Sequence, residues 1–519
     1  MKKIFSKGIL KALFIIPLFL SIRPRSYIAH DEGYYILQSR AILDSGNWLA
    51  PTSWGAPVFD RTIGAQWIIA GCQKLFGYTS WSSHLPSLIF GLVSLLLTYL
   101  LAKKFFGVSV ATISAGILLL SPIFLDYTHL ATQDMPLLAI ELIGIYSLAM
   151  AENRKDDVHH LFSGMWIGMG FLMKGFMIFL PLIAIIPLIL WRKKYLISSR
   201  LFLLGLFVGW LPVIVWISLS IREYGYTVVS NLFNKLIYLS GESTFAKGHF
   251  YYLWNIPLFT LPWCIFFIHP LLHGVRNWRD DRLFIFVVYP LLLTFLLSCF
   301  KTKTTYYGLQ MTPYISILAA YSTILFNTHR ILRKRLISVV NILGICLIVA
   351  AIVFATGFMK DYFVIDAYVF MVIMAILLII SVAWTSLNRR ENIHRVFAKL
   401  MLSQWIAMLI LVQGGFLTDR STVIRSALSD NHDFVRMNGN QKVSFVEAKE
   451  SLSVDARKKR ILIALAMKKL NHTLVNNHDL LPGDIAWINE VDIDAFSSGE
   501  LNILYSKAEL SPWILVAKN

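Results

Sequence analysis

Apolar residues along this chain come in blocks of similar length, separated by short polar runs. The blocks fall near residues 8–22, 85–102, 109–126, 135–151, 161–173, 175–191, 201–219, 251–270, 283–300, 308–326, 336–358, 367–385 and 399–416. Most approach the ~20 residues that cross a bilayer core, so the pattern predicts an all-α polytopic membrane protein of about 13 transmembrane helices. The polar runs carry a second pattern. Counted from a cytoplasmic N-terminus, alternate loops contain "KK" at 103–104, "NRK" at 153–155, "RKK" at 192–194, "VRNWRDDR" at 275–282, "RILRKR" at 330–335 and "NRR" at 388–390. All are basic, and the loops between them are poorer in Lys and Arg, as cytoplasmic and outer loops should be. The alternation puts everything after residue 416 outside. There the apolar blocks stop, and charged residues mix with short β-type alternation. Residues 1–416 thus read as a membrane domain with an outer loop at 23–84, and 417–519 as a small extracytoplasmic α/β domain.

Composition changes this picture little. Of 519 residues, 56% are hydrophobic and 15% charged, with a formal charge of +18. In a soluble chain that excess would suggest nucleic acid. Here the cations sit between spans, where they serve topology and contact anionic lipid, so no nucleic-acid partner is expected. Cys72, Cys264, Cys299 and Cys346 show no CxxC or Cys/His spacing, so neither a zinc site nor a disulfide framework is supported. The basic N-terminus resembles a signal peptide, but Ser21–Pro24 lacks a small-x-small cleavage pattern and a retained first helix is expected.

Three outer segments, 23–84, 220–250 and 299–307, are rich in Trp, Tyr, His and charge. The two long ones exceed the length at which loops are usually functional or disordered. "DEGYYILQSRAILDSG" predicts a helix with Asp31 at its N-cap and Gly46 as its stop, Tyr34, Leu37 and Ala41 forming a stripe, lying in the interface plane. Asp31 alone would be a cap. Glu32 adds a second carboxylate beside an apolar surface, where burial can shift acidity toward general-base use. Asp60 and Arg61 read alone as an exposed ion pair, Asp134 as a helix cap before Pro136, and Lys174-Gly175 as a turn. A lone Lys at the mouth of an apolar run is nonetheless a functional candidate. Lys301, Lys303, Tyr306 and Tyr307 crowd a short outer loop, while Lys235, Lys247 and His249 lie above Tyr251, Tyr252 and Trp254, read as an interfacial aromatic belt. Carboxylates and cations converging on one outer face could hold a phosphate, neutralise it as it leaves and deprotonate an acceptor.

The motif order resembles the lipid-linked-sugar glycosyltransferases of the GT-C fold, in the branch of lipid A aminoarabinose transferases and protein O-mannosyltransferases. "DEGYYILQSRAILDSGNWLAP", "VFDRTIGAQWIIAGCQKLFG", "ATQDMPL" with "GFLMKGFMIFLPL", and "KTKTTYYGLQMTPYISILA" carry the likeness over residues 5–330. The family has Lys where Arg61 stands and prolines where Thr62-Ile63 stand. A proline is usual at Thr305, and Arg is expected at Lys235. These departures keep charge but change donor geometry. The resemblance implies Asp31 as the catalytic carboxylate and Asp60 as the second acidic residue of the pocket. It implies Arg61, Lys174, Lys303, Tyr307 and, more loosely aligned, Lys235 as donor-phosphate ligands, with Glu32, Asp134 and His249 secondary. The implied reaction is inverting transfer of a sugar from a polyprenyl-phosphate donor to lipid A or another envelope glycan, at the outer face of the inner (plasma) membrane. A protein O-mannosyltransferase and a flippase for lipid-linked cargo are the alternatives. A monophosphate donor needs no bridging ion, so no cofactor is required, though a divalent metal is compatible.

Overall fold

The computed structural model describes residues 14–153, 157–241, 246–356, 366–429, 441–448, 451–497 and 499–519. The start of the first expected span and most of the basic run 153–155 lie outside these residues. The chain is a mostly helical multi-pass membrane protein. Among the described residues eight helices are long and apolar enough to cross a bilayer. The figure differs from thirteen partly because two of the eight fold back on themselves. Ser80–Leu119 breaks at Gly107, whose φ of 85° is non-helical. The chain then returns, so that Ser87 Oγ donates to the Leu130 carbonyl at 2.5 Å. Val158–Arg192 reverses at Gly175 (φ +58°). The chain just past its end returns to its start, where the His160 and Tyr195 rings stand 6.0 Å apart. Other expected spans are too short to qualify: Asp134–Met150 has 17 residues, and 251–270 is broken into Tyr251–Phe259 and Trp263–Arg276.

Small residues set the closest packing. Gly164 and Gly168 meet the backbone of Arg200–Tyr224 at Phe202 and Gly209, an approach that a Cβ would block. This seats the helix ending at Lys174 firmly. Residues 220–250, expected as a loop, are largely helical, since Arg200–Tyr224 runs into them and Thr227–Gly241 follows.

The tail forms a five-stranded mixed sheet in the order β4-β3-β5-β7-β6, with β3 (Val443–Val446), β4 (Leu470–Val475), β5 (Ile485–Asn489), β6 (Leu501–Tyr505) and β7 (Trp513–Lys518). β3 pairs in parallel with both β4 and β5, and helix Val454–Ala466 makes the crossover from β3 to β4. This sheet domain does not stand apart. Phe445, Ile461, Trp487 and Trp513 share one apolar core with Leu37 and Tyr34 of the first outer helix, Glu32–Ser45.

That packing corrects the expected placement of the outer helix. Ten of its fourteen residues are buried, Gln38 and Arg40 among them, so it is sandwiched rather than laid on a lipid surface. On one side the Gln38 and Gln66 amides meet at 2.9 Å. On the other, Arg40 Nη2 donates to the Lys468 carbonyl at 3.0 Å. A short hairpin, β1 (Thr52–Ser53) and β2 (Ala56–Pro57), adds a second anchor. Its turn residues Trp54 and Gly55 both have positive φ, the form that two-residue hairpins favour. Trp54 lies edge-on to Phe445, with the Arg460 guanidinium 4.5 Å from its ring.

Candidate functional site

The helix Glu32–Ser45 starts and stops as its sequence predicts, with Gly46 in the left-handed C-cap conformation. Its N-terminal residue behaves otherwise. Asp31 has φ 56° and ψ −80°, and its side chain makes no capping bond. Such a backbone is strained for a non-glycine residue and persists only where the surroundings impose it. The Asp31 carboxylate, 62% exposed, faces Arg61 Nη2 at 3.6 Å. The reading of Asp31 as a cap is therefore replaced by one of an aimed carboxylate.

Glu32 is the opposite case. It is 1% exposed, and its two oxygens accept from Ile28 N at 2.7 Å, Ala131 N at 2.9 Å and His84 Nε2 at 2.6 Å. With its lone pairs so occupied, Glu32 ties the start of the helix to His84 and to the loop at Ala131 and is not presented for proton transfer.

Asp60 and Arg61 precede helix Gly64–Phe76. A Cβ on Gly64 would meet the Leu172 carbonyl at 2.6 Å, and Thr62 Cγ2 lies 3.5 Å from where a Cβ on Gly175 would stand. This close approach brings the Arg61 segment against the end of the helix carrying Lys174. Arg61 Nε reaches Asp60 at 3.5 Å, and its guanidinium lies 5.0 Å from the Tyr35 ring centre. Burial raises the pKa of the Tyr35 phenol, keeping it protonated and able to donate.

Lys174 forms an ion pair with Asp134, both side chains 12% exposed. Its ammonium stands 4.7 Å from the Tyr306 ring and 5.3 Å from Tyr307. Asp134, Lys174, Tyr306 and Tyr307 line one small cavity with Gln310. Asp134 is thus a counter-ion, and Lys174 is more than a turn residue. Tyr127, 6.1 Å ring to ring from Tyr306, joins the cluster, and beside it Arg420 pairs with Asp126. Sequence reasoning missed Tyr35, Tyr127 and this pair. Arg420 follows the last span in a tract without a motif, so nothing local marks it. An apolar groove lined by Phe14, Leu95, Tyr99, Leu119 and Trp405 shares no residue with the charged cluster.

The remaining candidates are not gathered with these. Lys303 is 2% exposed and donates to the Phe300 carbonyl and to that of Lys247 at 3.3 Å, closing its own loop. Burial pushes its pKa down. Lys235 lies on Thr227–Gly241, half-buried, and exposed His249 approaches the Ser298 carbonyl at 3.4 Å. Tyr251 and Tyr252 are braces rather than belt residues: Tyr251 bonds Thr305 Oγ1 and Tyr252 the Thr304 carbonyl, both at 3.2 Å. Trp254 is 55% exposed, as a belt residue should be. Among the described residues no three His, Cys, Asp or Glu side chains are grouped to hold a metal.

Comparison with known proteins extends this description. The profile of the dolichyl-phosphate-mannose-protein mannosyltransferase family matches residues 60–218. The undecaprenyl phosphate-alpha-4-amino-4-deoxy-L-arabinose arabinosyl transferase of Yersinia pestis (strain Pestoides F) is 24% identical over 379 residues, covering 68% of this chain and 66% of that protein. The chain thus spans just under two thirds of the length of that relative. A protein of the same name from Pseudomonas savastanoi pv. phaseolicola is 29% identical over 192 residues, 36% of each chain. The crystal structure of ArnT from Cupriavidus metallidurans bound to undecaprenyl phosphate superposes with a TM-score of 0.77 at 16% identity, covering 99% of this chain and 98% of that one. At that identity the overlay establishes a shared fold.

Proposed function

We propose that this membrane protein, a glycosyltransferase of the GT-C fold, moves a sugar from a polyprenyl-phosphate donor to lipid A or another envelope glycan. The observation that carries the reading is the chamber itself. Arg61 lies over the buried Tyr35 ring and Lys174 beside the half-buried Tyr306 ring, each cation paired with a carboxylate, with exposed Asp31 at the edge. Such a site takes an anion deep inside and leaves one carboxylate facing what approaches.

In the proposed reaction Arg61 and Lys174 bind the donor phosphate, and the Tyr307 hydroxyl orients it. Asp60 steadies Arg61, and Asp134 holds Lys174 until phosphate displaces it. An acceptor oxygen attacks the anomeric carbon from the face opposite the phosphate, so the configuration inverts. The new bond is carbon to acceptor oxygen. The bond that breaks joins carbon to phosphate oxygen, and its electron pair leaves on the polyprenyl phosphate. Preorganised donors at such a leaving anion typically contribute ~3–4 kcal/mol each. A hydroxyl acceptor gives its proton to Asp31, whereas an ionised phosphate acceptor has none to give and needs Asp31 only for orientation. Lys303 would join the phosphate only by leaving its two carbonyls. Lys235 and His249 have no role in this account.

The reading places the site and the sheet domain outside the inner membrane. The match to the mannosyltransferase profile favours one second reading, transfer to a protein Ser or Thr hydroxyl. The test is purified protein in detergent with an undecaprenyl-phosphate-linked aminosugar, offered lipid A or a Ser/Thr-rich peptide, with products identified by mass. A mass increment on lipid A is expected. An increment on the peptide alone selects the second reading, and none on either with intact donor rejects both. A flippase would move lipid without making product.

A further inference from the structure

The sheet domain presents the run Arg457-Lys458-Lys459-Arg460 on helix Val454–Ala466, and the structure separates its members. Lys459 pairs with Asp455 at 3.1 Å and donates to the Ser511 carbonyl at 2.6 Å, while Arg460 lies over Trp54. These two hold the domain together and to the hairpin. Arg457 and Lys458 are exposed, with no ion pair among the described residues.

Their position gives them meaning. Ile461, one helical turn further on and on the same side of the helix, packs on Gly33: a Cβ there would stand 2.6 Å from Ile461 Cγ2. Gly33 is two residues from Asp31. Arg457 and Lys458 therefore stand at the catalytic end of the outer helix, within electrostatic reach of His30. His30 stacks on Tyr34 beneath them. Burial, then the charge of Lys458, hold the His30 imidazole below its ordinary range, against the pull of Asp31. On the inner side the cations are paired with carboxylates and tyrosines, ready for the donor. Exposed Asp31 adjoins His30, which also feels Lys458 and Arg457, two cations that make no ion pair among the described residues.

We infer that Arg457 and Lys458 form the acceptor-reading edge of the site, selecting a glycolipid acceptor that carries phosphate close to the attacking oxygen. The inference rests on the transferase reading above and adds to it a specificity element contributed by the C-terminal domain. A neutral peptide hydroxyl would gain nothing from this edge, so the same residues favour a phosphorylated lipid over a protein acceptor.

The full-length protein with Arg457→Ala/Lys458→Ala, and with Arg457→Glu/Lys458→Glu, tests it. The acceptors are a bis-phosphorylated lipid A disaccharide, its dephosphorylated form and a Ser/Thr peptide. For the bis-phosphorylated lipid the acceptor KM should rise about tenfold in the alanine variant and further in the glutamate variant, while the donor KM and the thermal midpoint hold. Salt should raise the wild-type acceptor KM and affect the alanine variant less, because exposed charges are screened. A merely structural role would move the midpoint instead. An acceptor KM and salt response equal to wild type in both variants overturn the inference alone, as does equal wild-type preference for the dephosphorylated lipid or the peptide. Wild-type protein that consumes no donor with any acceptor removes the transferase reading, and the inference with it.

Discussion

Asp31 and Glu32 are adjacent carboxylates with opposite fates, and substitution should separate them. Asp31→Asn keeps a residue tolerant of positive φ and sacrifices no cap, since the side chain makes none. It should purify with an unchanged midpoint yet lose transfer to a hydroxyl acceptor by roughly 10²-fold. Near-normal turnover would leave Asp31 as a geometric detail. Glu32→Gln should show the reverse, with a lowered midpoint from the strained Ile28, His84 and Ala131 bonds and activity falling only in proportion to folded protein. Lys174 needs more care, because Lys174→Ala strands the largely buried Asp134, a defect of about 3–5 kcal/mol on its own. The pair Lys174→Ala/Asp134→Asn strands no charge. In that background a donor KM raised tenfold or more, with a wild-type midpoint, would assign the ammonium to phosphate binding, and an unchanged donor KM would reduce it to a structural partner.

The outer helix and the sheet domain meet through a small polar latch. Asp44 accepts from His472 Nε2 at 2.7 Å and from Tyr78 at 2.5 Å, and the Arg40 guanidinium lies 4.7 Å from the Tyr78 ring. Partial burial pushes the Asp44 pKa up, but the His472 and Tyr78 hydrogen bonds outweigh it and hold the group below 3.8. A carboxylate depressed in the folded state stabilises it fully above the unfolded value and loses that contribution as pH falls through the folded one. Hydrogen exchange over residues 32–45 should therefore be slow at pH 5 and quicken below pH 3.8, and Asp44→Asn should remove the part of that step due to the latch. A step of the same size in the variant would place the pH response elsewhere. The limits of this helix were readable in sequence, because Gly46 supplies a local stop. Its surroundings were not, since Gln38 and Arg40 look solvent-facing until Gln66 meets the one and the end of helix Val454–Ala466, 424 residues on at Ala464, meets the other. Lys174 and Lys303 show the same limit. Both are lone cations at span ends, and only the fold turns one toward Asp134 and the other toward its own loop carbonyls.

At the scale of the whole chain, hydropathy carried the mostly helical, membrane-spanning architecture, because a bilayer imposes segment length directly; sidedness, read from loop charge, stands as a prediction. The expected count of about thirteen spans is not reproduced by the eight long apolar helices among the described residues, two of which contain breaks at Gly107 and Gly175. Cysteine labelling in a background lacking the four native cysteines should find positions 192 and 334 reactive from the cytoplasm. Positions 31, 247 and 503, all exposed, should react from outside. A cytoplasmic response at 503 would invert the tail and remove the sheet domain from the site.

The seat of Gly33 against Ile461 also bears on biosynthesis. The segment bearing Asp31 is made long before the Ile461 surface that holds it. The Arg40 bond to the Ala464 carbonyl closes 424 residues of sequence. Until that later segment has been made and has folded, helix Glu32–Ser45 has its other neighbours but no roof. Folding of the sheet domain then becomes the event that completes the surroundings of Asp31, and on the proposed reading a chain threaded into the bilayer without it would stay idle.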